Sequence, residues 1–245
     1  MPRFPRVVAT DTPHHVTQRG NAQRWVFETD SDRLVYLDLL RRNCQAYDLA
    51  VLGYCLMSNH VHLVVIPHRL DSMAIALRHT HGRYAAYLNG RQAATGHIWQ
   101  GRFYSCPLDT HHLWAALRYI ELNPVRAALT RHPAHYAWSS AAAHCGRSAQ
   151  PVPLVLAQYP WHDAWTPAAW REFLIDSTAE QDAAALRACT HTGRPLGTEE
   201  FVESLERTLQ RALTPGQGGR PRQKPGTDGT FRSHQPRLWP AGPAE

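Results

Sequence analysis

Lysine is almost missing from this 245-residue chain: Lys224 is the only one, and every other basic side chain among the 26 is an arginine. GC-rich coding accounts for such a bias. Its chemical consequence holds regardless, because a guanidinium grips a phosphate through two parallel hydrogen bonds. Paired cysteines are lacking too. Cys44, Cys55, Cys106, Cys145 and Cys189 are scattered, with no C-x-x-C spacing; this argues against a zinc ribbon and a disulfide framework and fits a reducing cytoplasm. No stretch reaches the ~18 apolar residues of a membrane span. The opening Met1-Pro2-Arg3-Phe4-Pro5-Arg6 carries charge without the apolar segment of a secretory signal. The phosphate-loop pattern G-x-x-x-x-G-K-[ST] does not occur, so no nucleotide cofactor is expected. The reading is a soluble, cytoplasmic protein with no membrane partner.

What is present points to a polyanion. The net charge is +6 and the sequence pI about 9.3, which favours nucleic acid as partner. With 43% hydrophobic residues, the length suffices for one core and a small second unit.

His14 to Gly20 reads as a short strand, and Ser31-Asp32 as the cap of a helix whose stripe of Leu34, Leu37 and Leu40 runs to about Tyr47. Two apolar runs, Ala50 to Met57 and His60 to Pro67, sit at hairpin spacing around Ser58-Asn59. A helix from Asp71-Ser72 through Tyr87, a strand from Phe103 to Leu108 and a helix over His111 to Leu129 capped by Asp109-Thr110 follow. This β-α-β-β-α-β-α order predicts an α+β fold: a ferredoxin-like antiparallel sheet with helices on one face. Residues 1–146 form that unit. Ser148 to Pro153 reads as a linker, Trp161 to Ala188 as one or two helices, and Thr198 as the cap of a last helix. Residues 147–214 therefore make a helical C-terminal extension, and 215–245 a basic tail too poor in apolar residues to fold.

The chemistry centres on His60-Val61-His62. Among 16 histidines such a triplet arises readily by chance. Inside a strand, however, side chains alternate, so His60 and His62 share one face while Val61 enters the core. Two imidazoles on one face can hold a divalent ion. Tyr119 and Asn123, four apart on a helix, likewise share a face. A tyrosine on an amphipathic helix is usually a packing residue; the combination carries the argument.

Three blocks in order resemble the REP-associated tyrosine transposases, a branch of the HuH single-tyrosine transposases of bacterial insertion sequences. They are Leu56-Met57-Ser58-Asn59-His60-Val61-His62-Leu63-Val64-Val65, Gly96-His97-Ile98-Trp99-Gln100-Gly101-Arg102-Phe103, and Tyr119-Ile120-Glu121-Leu122-Asn123-Pro124-Val125-Arg126-Ala127. The resemblance spans about Met1 to Gly146. It implies an HuH nuclease fold in which His60 and His62 hold Mg2+ or Mn2+, with Asn123 at the position of a third, polar ligand. It also implies that Tyr119 attacks a phosphorus of single-stranded DNA at palindromic hairpins, leaving a 5′-phosphotyrosine and a free 3′-OH for strand transfer. A free phenol, with a pKa near 10, needs the metal or a neighbour to activate it. Two neutral imidazoles suit Mn2+ better than Mg2+. Glu121, two residues from Tyr119, points elsewhere on the helix and reads as a solvated surface charge.

Arg102, Arg118 and Arg126 are candidate phosphate clamps. Trp99 is a candidate base-stacking platform, although Trp99-Gln100 equally suits a structural corner. In the tail, Gly219-Arg220-Pro221-Arg222 has the composition of a minor-groove hook, making Arg220 and Arg222 candidate DNA contacts. The His111-His112 and His132/His135 pairs have no further ligands and read as exposed. Two rival functions share these residues: a replication-initiator or relaxase-like nickase, and a DNA-binding protein that holds repeats without cutting. Either a monomer or a homodimer is compatible with the sequence.

Overall fold

The computed structural model describes residues 5–147, 152–158, 160–175 and 179–214, with backbone alone at 161, 162 and 179–182. Four strands, β1 (His14–Arg19), β2 (Leu49–Met57), β3 (His60–Pro67) and β4 (Tyr104–Pro107), form one antiparallel sheet in the order β2-β3-β1-β4. That is the ferredoxin-like order, with the β2–β3 hairpin turning at Ser58-Asn59 as its spacing requires.

Alternation along the strands divides the molecule. Val16, Leu56, Val61, Leu63 and Val65 point to one side, where α1 (Asp30–Ala46) and α2 (Ser72–Arg91) close a core with Tyr36, Leu37, Leu40, Met73, Leu77 and Tyr84. The cap of α1 lies at Thr29 rather than Ser31-Asp32. The Thr29 hydroxyl accepts from the Asp32 amide at 3.2 Å, and the Asp32 carboxylate reaches back to the Thr29 amide at 2.8 Å. This reciprocal box satisfies two otherwise orphaned amides.

The expected placement of helices on one face describes α1 and α2. The opposite face is covered as well, by α3 (Thr110–Arg126), where Leu113, Leu117 and Ile120 meet Leu52, Cys55, Val64, Ile66 and Cys106. The reason lies in β2 and β3, whose apolar runs are continuous rather than alternating and so need burial on both sides. Gly53 permits the close approach: a Cβ there would stand 2.5 Å from Leu117 Cδ2.

After α4 (Ala141–His144), three helices form where one or two were expected: α5 (Trp161–Ala164), α6 (Pro167–Ile175) and α7 (Ala179–Thr192). Both α6 and α7 pack on α3, and α7 also touches β4 and β1. Met1–Thr214 thus forms one compact unit. The last helix, α8 (Glu199–Leu209), begins as its sequence predicts, with Thr198 Oγ1 accepting from the Phe201 amide at 3.3 Å. One carboxylate ties α8 to α3. Asp109 accepts from the His112 amide at 2.8 Å to cap α3, and from the Thr198 amide at 2.9 Å. Most of the Ser148–Pro153 linker and all of 215–245 lie outside the described residues. Among those described, no helix is long and apolar enough to cross a membrane.

Candidate active site

His60 and His62 open onto a cleft of about 590 Å³ together with Tyr119, Asn123 and Arg126 from α3 and Arg187, Thr190 and His191 from α7. The rings of His60 and His62 are 4.9 Å apart, and that of Tyr119 stands edge-on to His62 at 5.6 Å. Hydrogen bonds fix both imidazoles at the same atom. His60 Nδ1 pairs with Asn59 Oδ1 at 2.6 Å, and His62 Nδ1 with His15 Nε2 at 3.0 Å. Nε2 is then the nitrogen each ring has left for an ion, the usual arrangement when an outer partner orients a metal-binding histidine. Burial, with a contribution from Arg19, lowers the His60 pKa to about 4; burial and the neighbouring His60 hold His62 well below the usual range. Both rings are therefore neutral at pH 7, as ligation requires.

Tyr119 is 8% exposed and is overlaid by cationic groups. The Arg126 guanidinium lies 4.5 Å from its ring centre and also donates to the Tyr119 carbonyl at 2.8 and 3.1 Å, while Arg187 approaches the ring at 5.9 Å. Two guanidiniums thus lie over the face of the Tyr119 ring.

The 9–123 segment, which carries these strands and the tyrosine helix, matches the family model described as "Transposase IS200 like". Over this segment the chain is similar to the IS200-like transposases. Its fold is that of a solved REP-associated tyrosine transposase bound to a REP hairpin: 16% identical, TM-score 0.51, covering 64% of this chain and 93% of that one. A candidate transposase from Deinococcus radiodurans R1 aligns more loosely and adds nothing to the fold assignment (17% identical, TM-score 0.34, 49% and 96% covered). No curated protein matches the chain. The resemblance seen in the three sequence blocks is thereby borne out.

Among the described residues, no three His, Cys, Asp or Glu side chains form a ready metal cluster. An ion at His60 and His62 would therefore need its third protein ligand from another group. Asn123 fits: it lines the cleft, and its Nδ2 is buried with no hydrogen-bond partner among the described residues. The two ends of an amide are assigned from the surrounding network, so a half-turn presents Oδ1 instead. Two imidazoles and one carbonyl oxygen make a mixed N/O set suited to Mn2+.

Other sequence candidates lie elsewhere. Arg118 is 3% exposed and its guanidinium rests on Phe173, away from the cleft. Arg102 is exposed on the loop before β4. Trp99 takes the corner role: its Nε1–H donates to the His81 carbonyl at 2.9 Å, and its ring packs on His81, Tyr84 and Tyr36. Arg220 and Arg222 lie outside the described residues.

Glu121 requires correction. Rather than a solvated charge, it is fully buried, accepting from Ser140 Oγ at 2.5 Å and Trp170 Nε1 at 2.9 Å and pairing with His144 Nδ1 at 2.5 Å. The half-turn that separates it from Tyr119 aims it at α4 and α6. His111 and His135 are exposed; His112 is part-buried, its Nδ1 held 2.7 Å from Asp109.

Sequence reasoning missed His15, Arg19, Arg187, Thr190 and His191. Alternation from His60 and His62 does not locate His15, because strand pairing between β1 and β3 is a tertiary fact. Arg187, Thr190 and His191 belong to a segment set apart as an extension, and only its folding back shows their place.

Proposed function

We propose that the protein cleaves and rejoins single-stranded DNA through a 5′-phosphotyrosine at Tyr119, acting as a transposase on palindromic hairpins. The observation that carries the reading is the convergence of Tyr119 and the His60/His62 pair on one cleft, with the rings of His62 and Tyr119 5.6 Å apart. Tyr119 Oη bonds to phosphorus as the bond to the leaving O3′ breaks. The phenol proton departs and O3′ takes one up. Arg126 and Arg187 stabilise the negative charge that develops on the phenol oxygen. Arg19, on the same strand face as His15 and Thr17, adds a guanidinium for a flanking phosphate. A divalent ion held by His60, His62 and Asn123, Mn2+ more readily than Mg2+, supplies Lewis acidity at the scissile phosphate. Because the covalent link conserves the phosphodiester energy, the free 3′-OH of a second strand reverses the step without ATP.

The likeness to a protein captured with a REP hairpin and the +6 net charge support the hairpin substrate. Covalent capture tests the whole reading. Labelled hairpin oligonucleotides from DNA flanking the gene are incubated with Mn2+ or Mg2+ and run on a denaturing gel. The label is expected to stay on the protein and to vanish with EDTA, His62→Ala or Tyr119→Phe. Hairpin binding without any adduct would sink the cleavage reading and favour a non-cutting DNA-binding protein.

A further inference from the structure

We propose that Thr190, on α7, is a positioning residue that acts through His15 to hold His62 in the Nδ1–H tautomer, with its Nε2 lone pair turned into the cleft. This rests on reading His60 and His62 as ion ligands.

Three side chains form a line. Thr190 Oγ1 is 2.7 Å from His15 Nδ1, and His15 Nε2 is 3.0 Å from His62 Nδ1; the His15 and His62 rings stack 13° from parallel with centres 5.2 Å apart. At its far end the Thr190 hydroxyl meets Cys106 Sγ at 3.2 Å. His15 is 1% exposed, Thr190 2% and His62 6%, so water does not replace these partners. Buried donors and acceptors of this kind are held to their bonds, because each one left unmade is costly.

Such a line has two directions. In one, His62 Nδ1–H donates to His15 Nε2, His15 Nδ1–H donates to Thr190 Oγ1, and the Thr190 hydroxyl donates to the sulfur. In the other, the thiol, a weak donor, starts the line, and every proton is passed the opposite way. His62 then carries its hydrogen on Nε2. Only the first direction leaves a lone pair for an ion.

Thr190 decides between the directions because it is the acceptor for His15 Nδ1–H. Without its oxygen, that hydrogen is buried with no partner. The His15 ring then prefers its hydrogen on Nε2, where His62 Nδ1 accepts it, and His62 is driven to the Nε2–H form that cannot ligate. A hydroxyl on the C-terminal extension thereby controls a nitrogen in the cleft two imidazoles away.

The test reads tautomers and metal affinity in the full chain, independently of cleavage. Long-range 1H–15N spectra of the metal-free protein should show His15 and His62 both protonated at Nδ1, and Thr190→Val should move the His62 proton to Nε2. Mn2+ titration should show about 10- to 100-fold weaker binding in Thr190→Val, the range for outer-shell changes, with recovery in Thr190→Ser. Wild-type His62 found as the Nε2–H tautomer overturns the proposal with no variant needed. So does Mn2+ affinity unchanged in Thr190→Val but lost in His62→Ala, which leaves the reading of the ligands standing. Affinity unchanged in both His60→Ala and His62→Ala removes that reading itself and this proposal with it.

Discussion

On the α1–α2 side of the sheet, Val16, Val61, Leu63 and Val65 meet Tyr36, Leu77 and Tyr84 in a dry core. On the α3–α7 side, intervening positions of the same strands, His15, Thr17, His60 and His62, meet Tyr119, Asn123, Arg187 and Thr190 around a cleft. One pleat builds both: neighbours along β1 and β3 serve cohesion and chemistry in turn. The division is not between faces as wholes, because Leu113, Leu117 and Ile120 on α3 anchor the site side to Leu52, Val64 and Cys106. Helix α3 repeats the division around its own axis, with Tyr119 toward the cleft and Glu121 toward α6.

The strongest way to break this comparison is to exchange the roles on α3. Glu121→Ala is expected to cost about 3–5 kcal/mol in urea unfolding, the penalty for removing one partner of a buried hydrogen-bonded network. Tyr119→Phe, half a turn away, should stay within about 1 kcal/mol of wild type while losing all adduct. Equal destabilisation by the two would show that the helix is not divided in this way.

Acid sharpens the contrast next. Burial lowers the pKa of His81, whose Nε2 lies 3.1 Å from the Tyr36 hydroxyl, to about 3, and that of His14 to about 4. Both are neutral in the folded protein down to those values, whereas an unfolded histidine takes up its proton near pH 6.5. Stability is therefore whole above pH 6.5. It falls as the pH drops from 6.5 toward 4, by at least about 1 kcal/mol per affected group. Urea midpoints measured across this window should decline, and the slope should be shallower in His81→Gln. A flat profile would contradict the burial of neutral histidines.

The smallest expected effect concerns Trp99. Trp99→Phe removes the bond to the His81 carbonyl and should cost about 1 kcal/mol, with single-stranded DNA affinity unchanged by filter binding. Weakened binding at unchanged stability would restore the stacking role.

The sheet was legible because its signals are local. Short apolar runs, the Ser58-Asn59 turn and the Asp109 and Thr198 caps each depend on a few adjacent residues, and strands, helices and hairpin formed where those signals lie. His60, His62, Tyr119 and Asn123 were legible for the same reason, each pair having a spacing that fixes a common face. What stayed hidden depends on distant partners. Nothing near Glu121 in sequence announces Ser140, His144 or Trp170, so a charge reads as solvated that is in fact enclosed. Arg118 looks like a phosphate contact until Phe173 is seen beneath it. Helix α7 begins 60 residues after Tyr119, and its three cleft residues carry no motif of their own.

Gly53 holds a dimension of the molecule. With Leu117 and Ser140 pressed to where its side chain would be, α3 rests on the sheet at bare backbone height, and Tyr119 is carried two residues further along that same rod. The gap between tyrosine and imidazoles is therefore gauged by an atom the protein does without: any larger residue would act as a shim, lifting the tyrosine from the ring it faces while leaving every residue of the cleft in place by name.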